Sequence, residues 1–414
     1  MHGALNNTIS QPLSPKKQRS YVGSHFMVLL ALVFLFPVGY FSYLSPAIET
    51  FYTWAPLLIL VAALLFMLLT RRDLLIDSAL VVLVLYCVVL VSISAVSDRG
   101  SLVYALQLSC KYFSLLLLAF LIVSSEKREK LCRTCFTFFF ALTALNTVTV
   151  FVFPDSMYPD SRGLAVCWLL GGDNFSVRFY ILSVLFAFLM GGSGGKKWIL
   201  ASMINYGLFV FVRFCGMGIV SFALIVALLL TPLRFVCRWR IKLKHAIVVG
   251  LLAFVVVVVL GQMDYFSFIL DLLGKDVTLS ARTRIWLSTF GLLSDHWLLG
   301  YGALRGPDIE QLLMFPGMTN VHNTYLMVAM FGGVVLVVLY LAFQCVAAKQ
   351  LDQYSHEDIP FALIVCCIAL VLHSQIEGNY FDITLFVFTL AYYIGKGRCG
   401  FFGQIARPDQ EGAQ

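Results

Sequence analysis

The sequence predicts an all-α, polytopic membrane protein with about 12 transmembrane helices and a long outer loop carrying an amphipathic helix. Three observations predict it: sparse charge, long apolar runs, and basic residues grouped between those runs. Apolar residues fill 60% of 414 positions and charged residues only 12%. Soluble domains are about one-quarter charged, so this chain has too few charges to solvate its own surface. Runs such as VLLALVFLFPVGYFSYL, LLILVAALLFMLLT and AIVVGLLAFVVVVVLG supply the roughly 20 apolar residues that a helix needs to cross a hydrocarbon core. Helix is the form they must take, because unpaired backbone groups in lipid cost several kcal/mol each.

In chain order, a polar, basic tail over about 1–24 precedes the first span, which lacks an A-x-A cleavage site and reads as an anchor rather than a removable signal. Spans are expected at about 25–45, 51–70, 75–95, 102–123, 131–153, 173–190, 198–212, 215–231 and 246–262, nine helices within about 25–262. An extracytoplasmic loop follows over about 263–321, then three helices within about 322–398 (about 323–346, 361–378 and 381–396) and a tail over about 399–414. In the loop, TRIWLSTFGLLSDHWLLG sets Ile285, Trp286, Phe290, Leu292, Leu293 and Trp297 largely on one side of a helix, the pattern of an interfacial amphipathic helix. GGSGG at 191–195 reads as a flexible turn. The 11 cysteines are scattered through the helices, and Cys132 and Cys135, although a C-x-x-C, read as small buried hydrophobes.

With the N-terminus inside, alternate connections collect most of the 29 basic residues: Lys16, Lys17 and Arg19; Arg71 and Arg72; Lys127, Arg128, Lys130 and Arg133; Lys196 and Lys197. Arg234, Arg238, Arg240, Lys242 and Lys244 follow, then Lys349, and last Lys396, Arg398 and Arg407. This satisfies the positive-inside rule with both termini cytoplasmic. The net charge of +7 then answers to anionic inner-leaflet lipid and requires no nucleic acid.

The exceptions carry the functional information: Arg99, Lys111, Arg162, Arg178, Arg213, Lys275, Arg282, Arg284 and Arg305 fall on the outer side or within a span. Ionisable residues there are functional candidates. Three outer segments group together: VRFCGMG at 212–218, where Arg213 precedes small residues that let the chain reverse; DVTLSARTRIW at 276–286, with Arg282; and VHNTYLMVAMFGG at 321–333, with His322 and Asn323. Two guanidiniums and an imidazole suit the binding of a diphosphate and the transfer of a proton. The guanidinium fork pairs with phosphate oxygens bidentately and stays charged, and imidazole titrates near ambient pH.

These segments resemble the bacterial O-antigen ligase and polysaccharide polymerase family, whose pattern runs S-G-R-T-x-I-W, then P-L-x-G-x-G, then H-N-x-x-L with glycine about six residues on. LSARTRIW, HWLLGYG and HNTYL followed by Gly332 and Gly333 match it over about 280–335. Arg213 matches the family's S-R-G turn more weakly; Ala281, Trp297 and Val212 depart from the customary Gly, Pro and Ser. The resemblance implies a glycosyltransferase of the bacterial cytoplasmic (inner) membrane, active on the outer face, with an undecaprenyl-diphosphate-linked glycan as donor. The acceptor is a second lipid-linked glycan for a polymerase or lipid A core for a ligase. It implies inversion at the anomeric carbon, no cofactor, and contacts with membrane lipids, a flippase and a chain-length regulator; the loop shows no carboxylate cluster or metal-ligand spacing, so no metal is expected. Arg213 and Arg282 are assigned to the donor diphosphate and His322 to the acceptor hydroxyl as general base. Asn323, Arg178, Arg284, Glu377 and Lys111 are secondary candidates, Arg178 and Lys111 for a second phosphate and Glu377 for orienting His322 or an acceptor sugar. WLLGGDNFSVRFYI at 168–181, HNTYL and SQIEGNYFD at 374–382 resemble polymerase segments and tilt the reading that way.

Structural alternatives stand beside each assignment. Arg213 could snorkel to headgroups, Arg282 could anchor its helix on anionic lipid, and His322 or Asn323 could cap the tenth helix. Arg284 could face solvent, Glu377 could merely end its helix, and His296 and His373 read as structural. A transporter or flippase is the reading from another class. It would show two similar halves with charges at mid-span, and neither is visible here.

Overall fold

The computed structural model describes residues 15–69, 76–125, 127–159, 166–259 and 282–397. The architecture is all-α, and each predicted span is largely helical over its described residues. In order come α1 (Pro15–Leu35), α2 (Gly39–Leu44), α3 (Pro46–Leu69), α4 (Ser78–Val96), α5 (Leu102–Ser124) and α6 (Arg128–Val152). A two-stranded antiparallel pair, β1 (Tyr158–Pro159) and β2 (Val166–Cys167), leads into α7 (Asp173–Leu189) and α8 (Gly192–Val212). Then come α9 (Gly216–Ile225), α10 (Leu233–Arg240), α11 (Leu243–Ala253), α12 (Arg282–His296), α13 (Gly306–Leu313), α14 (Thr324–Leu351), α15 (Asp358–His373) and α16 (Phe381–Gly395). Among the described residues, five helices are long and apolar enough to cross a membrane, six if the bent pair of α9 and α10 forms one span. Shorter apolar helices, α15 and α16 among them, pack between these.

Local chemistry sets the breaks. The first predicted span divides at Phe36–Val38, where Pro37 lacks an N–H and disfavours helix in the residue before it. Asp77 caps α4, accepting from Leu80 N at 3.1 Å, and its other oxygen receives Lys396 at 3.3 Å. The GGSGG segment is not a flexible turn: only Gly191, at φ +63°, is a turn residue, and α8 begins at Gly192. The core runs along α14, α15, α16, α5 and α7, where Tyr180, Phe186, Tyr340, Phe386 and Tyr392 are almost wholly buried.

One kink positions the site. Within α14, Gly332 and Gly333 leave helical geometry, Gly333 at φ +60° and ψ −158°, a region open essentially to glycine alone. The kink frees carbonyls that the loop after α12 takes up: Tyr301 N donates to Met330 O at 2.8 Å and Gly302 N to Phe331 O at 3.0 Å. Gly300 and Gly302, both with positive φ, let that loop approach. The HWLLGYG and GG motifs are therefore two halves of one joint. A Cβ on Gly333 would lie 2.2 Å from Leu298 backbone atoms. Gly333→Ala is expected to lower stability by roughly 2–4 kcal/mol, read as a fall in the unfolding temperature of the detergent-solubilised protein.

The apolar stripe of α12 also has a partner. Ile285, Trp286 and Leu293 are buried, and Trp286 Nε1 donates to Val321 O at 3.1 Å. The stripe thus packs on the protein, whereas Leu287 and Trp297 are exposed. This corrects the expectation that Trp297 shares the face of Trp286.

Candidate active site

The site forms at the end of the bundle where α7, α14 and α16 begin and α8 and α15 finish. Its centre is Glu377, in the turn between α15 and α16. Arg282, the first residue of α12, brings Nη2 to 2.8 Å from Glu377 Oε1, and Asn174 Nδ2 donates to the same oxygen at 3.0 Å. His322 Nδ1 stands 3.7 Å from Glu377 Oε2, an ion-pair separation rather than a hydrogen bond. All of these side chains are mostly shielded: Arg282 is 16% exposed, Glu377 13% and His322 23%. Burial alone would push the Glu377 carboxyl up. The His322 imidazole, the Arg282 guanidinium and the Asn174 amide outweigh it and hold the group below its ordinary range.

The turn reaches this position because it wraps the start of α14. Asn323 accepts from Leu326 N at 3.0 Å as the N-cap and donates to Gln375 O at 2.9 Å. Thr324 N donates to Ser374 O at 2.8 Å, and its hydroxyl donates to Glu377 O at 2.7 Å. Asn323 is fully buried in these bonds, which is a positioning duty. His322 lies just before the cap in the left-handed region, φ +49°, its N–H held by Asn320 Oδ1 at 2.8 Å.

Arg213 joins through the adjoining residue pair. Helix α8 ends at Val212, Phe214 takes φ +47°, and the chain reverses into α9. Arg213 Nε lies 3.2 Å from Asp173 Oδ1, and its guanidinium stacks 3.8 Å from the ring centre of Trp168. Asp173 and Asn174 are consecutive at the opening of α7, so Arg213 is bound through Asp173 to the residue that contacts Glu377. Tyr380 OH donates to Asn174 O, and Cys215 Sγ donates to Asn174 Oδ1 at 3.1 Å. Arg213, Arg282 and His322 therefore belong to one polar chain. Its negative members, Asp173 and Glu377, sit where cations would otherwise be uncompensated.

Residues 201–341 match the family model described as O-antigen ligase. Over that stretch the chain is similar to the O-antigen ligase family. No curated protein and no solved structure matches the chain. The O-antigen ligase match spans Arg213, Arg282 and His322, while Asp173, Asn174 and Glu377 flank it on either side.

Next to this candidate site lies a cavity of about 220 Å³ whose lining includes Thr324 and Gly378. Lys111 and Arg178 meet there with Asp382, to which Lys111 is salt-bridged. Arg178 is buried, its guanidinium 3.4 Å from the ring centre of Phe175. The structure thus groups Lys111 with Arg178, which lies one turn along α7 from Asn174. Arg284 is exposed and is not brought in. Arg162, Lys275 and Ala281 lie outside the described residues. His373 is structural, its Nε2 2.9 Å from Ser221 Oγ and its ring stacked on Tyr380. His296 stacks on Tyr301.

Sequence reasoning missed Asp173, Asn174 and Asp382. A signal was present, since a carboxylate opening an apolar helix needs either solvent or a cation. Asp173 and Asp382 each hold a basic residue that the sequence had already singled out.

Proposed function

We propose that this protein is a membrane glycosyltransferase that joins undecaprenyl-diphosphate-linked repeat units into a surface polysaccharide. One observation carries the reading: His322, Arg282 and, through Asn174 and Asp173, Arg213 share one carboxylate-centred network. In this reading Arg213 and Arg282 hold the donor diphosphate, whose oxygens displace or share the carboxylate contacts. The acceptor hydroxyl oxygen attacks the anomeric carbon from the face opposite the diphosphate. The new C–O bond forms as the bond to the diphosphate breaks, inverting the centre, and the proton passes to His322. Glu377 stabilises the resulting imidazolium, and the guanidiniums stabilise the negative charge that gathers on the leaving group. In this reading Lys111 and Arg178 take a second phosphate in the neighbouring cavity, which both line. Because the leaving group is good and the cations are side chains, the reaction is read as metal-independent.

Transfer to lipid A core is the second reading, favoured by the family description itself. The test uses full-length protein in liposomes with lipid-linked repeat units, with or without lipid A core. Ladders of lengthening lipid-linked glycan are expected without core. Extension of the core alone would replace polymerase with ligase, and passage of intact donor across the bilayer without bond formation would replace both with transport.

A further inference from the structure

The opposite end of the bundle holds a second, larger cavity that the reaction above does not use. Helix α9, continued by a π turn over Val226–Leu230, is bent 97° from α10. If α9 follows the bundle, α10 lies across it, in the plane of a membrane surface. Arg234 and Arg238 stand one turn apart on α10 and so share a face. Phe235, Val236 and Trp239 are exposed on another face. An amphipathic helix with arginines and a tryptophan at this angle is suited to the interface between headgroups and acyl chains.

The cavity beneath is about 730 Å³. Its rim carries Lys196, Arg234, Arg238 and His356 with Glu357 and Asp358, and its floor is apolar, with Phe188, Leu229 and Phe361. Arg234 Nη2 and Arg238 Nη1 lie 2.7 and 3.5 Å from the same Asp358 oxygen, so one carboxylate serves two guanidiniums. Arg238 Nε is shielded and has no acceptor among the described residues. The third wall is the start of α8, where Gly191 and Gly195 line the cavity and no side chain caps the helix. Uncapped N–H groups at the start of a 21-residue helix bind phosphate readily.

We propose that this cavity is a binding site for a lipid phosphate: the headgroup phosphate of an anionic phospholipid rests between Arg234, Arg238, Lys196 and the start of α8, and its acyl chains lie on the apolar floor. A free phosphate ester would satisfy the same cations but would leave Phe235, which lines the cavity and is 57% exposed, uncovered. The lipid is therefore the favoured source.

The test counts lipid retained by the full-length protein in native mass spectrometry and titrates phosphatidylglycerol against phosphatidylcholine in thermal-shift assays. Saturable retention and stabilisation are expected for phosphatidylglycerol alone. Arg234→Gln with Arg238→Gln should weaken binding by about 25-fold, at roughly 5-fold for each surface cation removed. Lys196→Gln, an exposed position, carries the same test at about 5-fold if the pair variant does not fold. Arg133→Gln, whose partner is Glu129, should retain wild-type affinity. Equal loss in Arg133→Gln, or undiminished phosphatidylglycerol binding in both cavity variants, would overturn the site. Displacement of the lipid by inorganic phosphate or glycerol phosphate at matching concentration would overturn the lipid as its source.

Discussion

Replacing His322 with asparagine is expected to lower glycan transfer by about 10²- to 10⁴-fold, the usual contribution of a positioned general base. Asparagine is the informative choice because His322 lies at φ +49°. Asparagine tolerates that region, whereas alanine there adds about 1 kcal/mol of backbone strain and confuses folding with chemistry. His322→Asn keeps the turn, the N–H bond to Asn320 and the Asn323 cap, so its unfolding temperature should stay near that of wild type. The assay compares initial rates of lipid-linked glycan transfer in liposomes with donor saturating. Donor retention should survive, since the guanidiniums remain. A variant that folds, binds donor and transfers at wild-type rate would remove His322 from the chemistry.

The sequence made the helices legible because a bilayer leaves few alternatives to an apolar run of about 20 residues. Basic residues outside the expected cytoplasmic segments were equally legible as exceptions; Arg282 and His322 meet at Glu377, whereas Arg213 pairs with Asp173, the chain neighbour of Asn174. The carboxylates that hold them were harder to read. Glu377 looks like a helix end and Asp173 like an N-terminal residue; only the fold shows that consecutive residues of α7 reach Arg213 and Glu377. The face of α12 was misread for a related reason. An apolar stripe has the same spacing whether lipid or protein covers it, so nothing local distinguishes Trp286, buried against Val321, from the exposed Trp297. The pairing of HWLLGYG with the glycines of α14 is likewise a long-range joint. Its individual residues announce turns, but not that the turns meet.

Glu377 should show the second large effect, and its two substitutions should separate. Glu377→Ala strips Arg282, His322 and Asn174 of their common partner and leaves a guanidinium, itself only 16% exposed, without its counter-charge. Breaking a shielded pair from one side costs about 3–5 kcal/mol, so this variant is expected to unfold at markedly lower temperature. Glu377→Gln keeps an oxygen for Arg282 and Asn174 but removes the charge beside the imidazole. It should lose much less stability while kcat falls about 10- to 100-fold, within the range for acid–base assistance, and KM for the acceptor moves little. A purely structural Glu377 would leave kcat of the folded Glu377→Gln variant near that of wild type. Stability gives an independent check with a fixed sign. The folded-state pKa of Glu377 is depressed, so its contribution is present above the unfolded carboxylate pKa and disappears as pH falls through the folded value. Acid titration of wild type should therefore erase part of its thermal advantage over Glu377→Gln below the ordinary carboxylate range. If the gap instead widens in acid, the ionised carboxylate is not what holds Arg282 and His322 together.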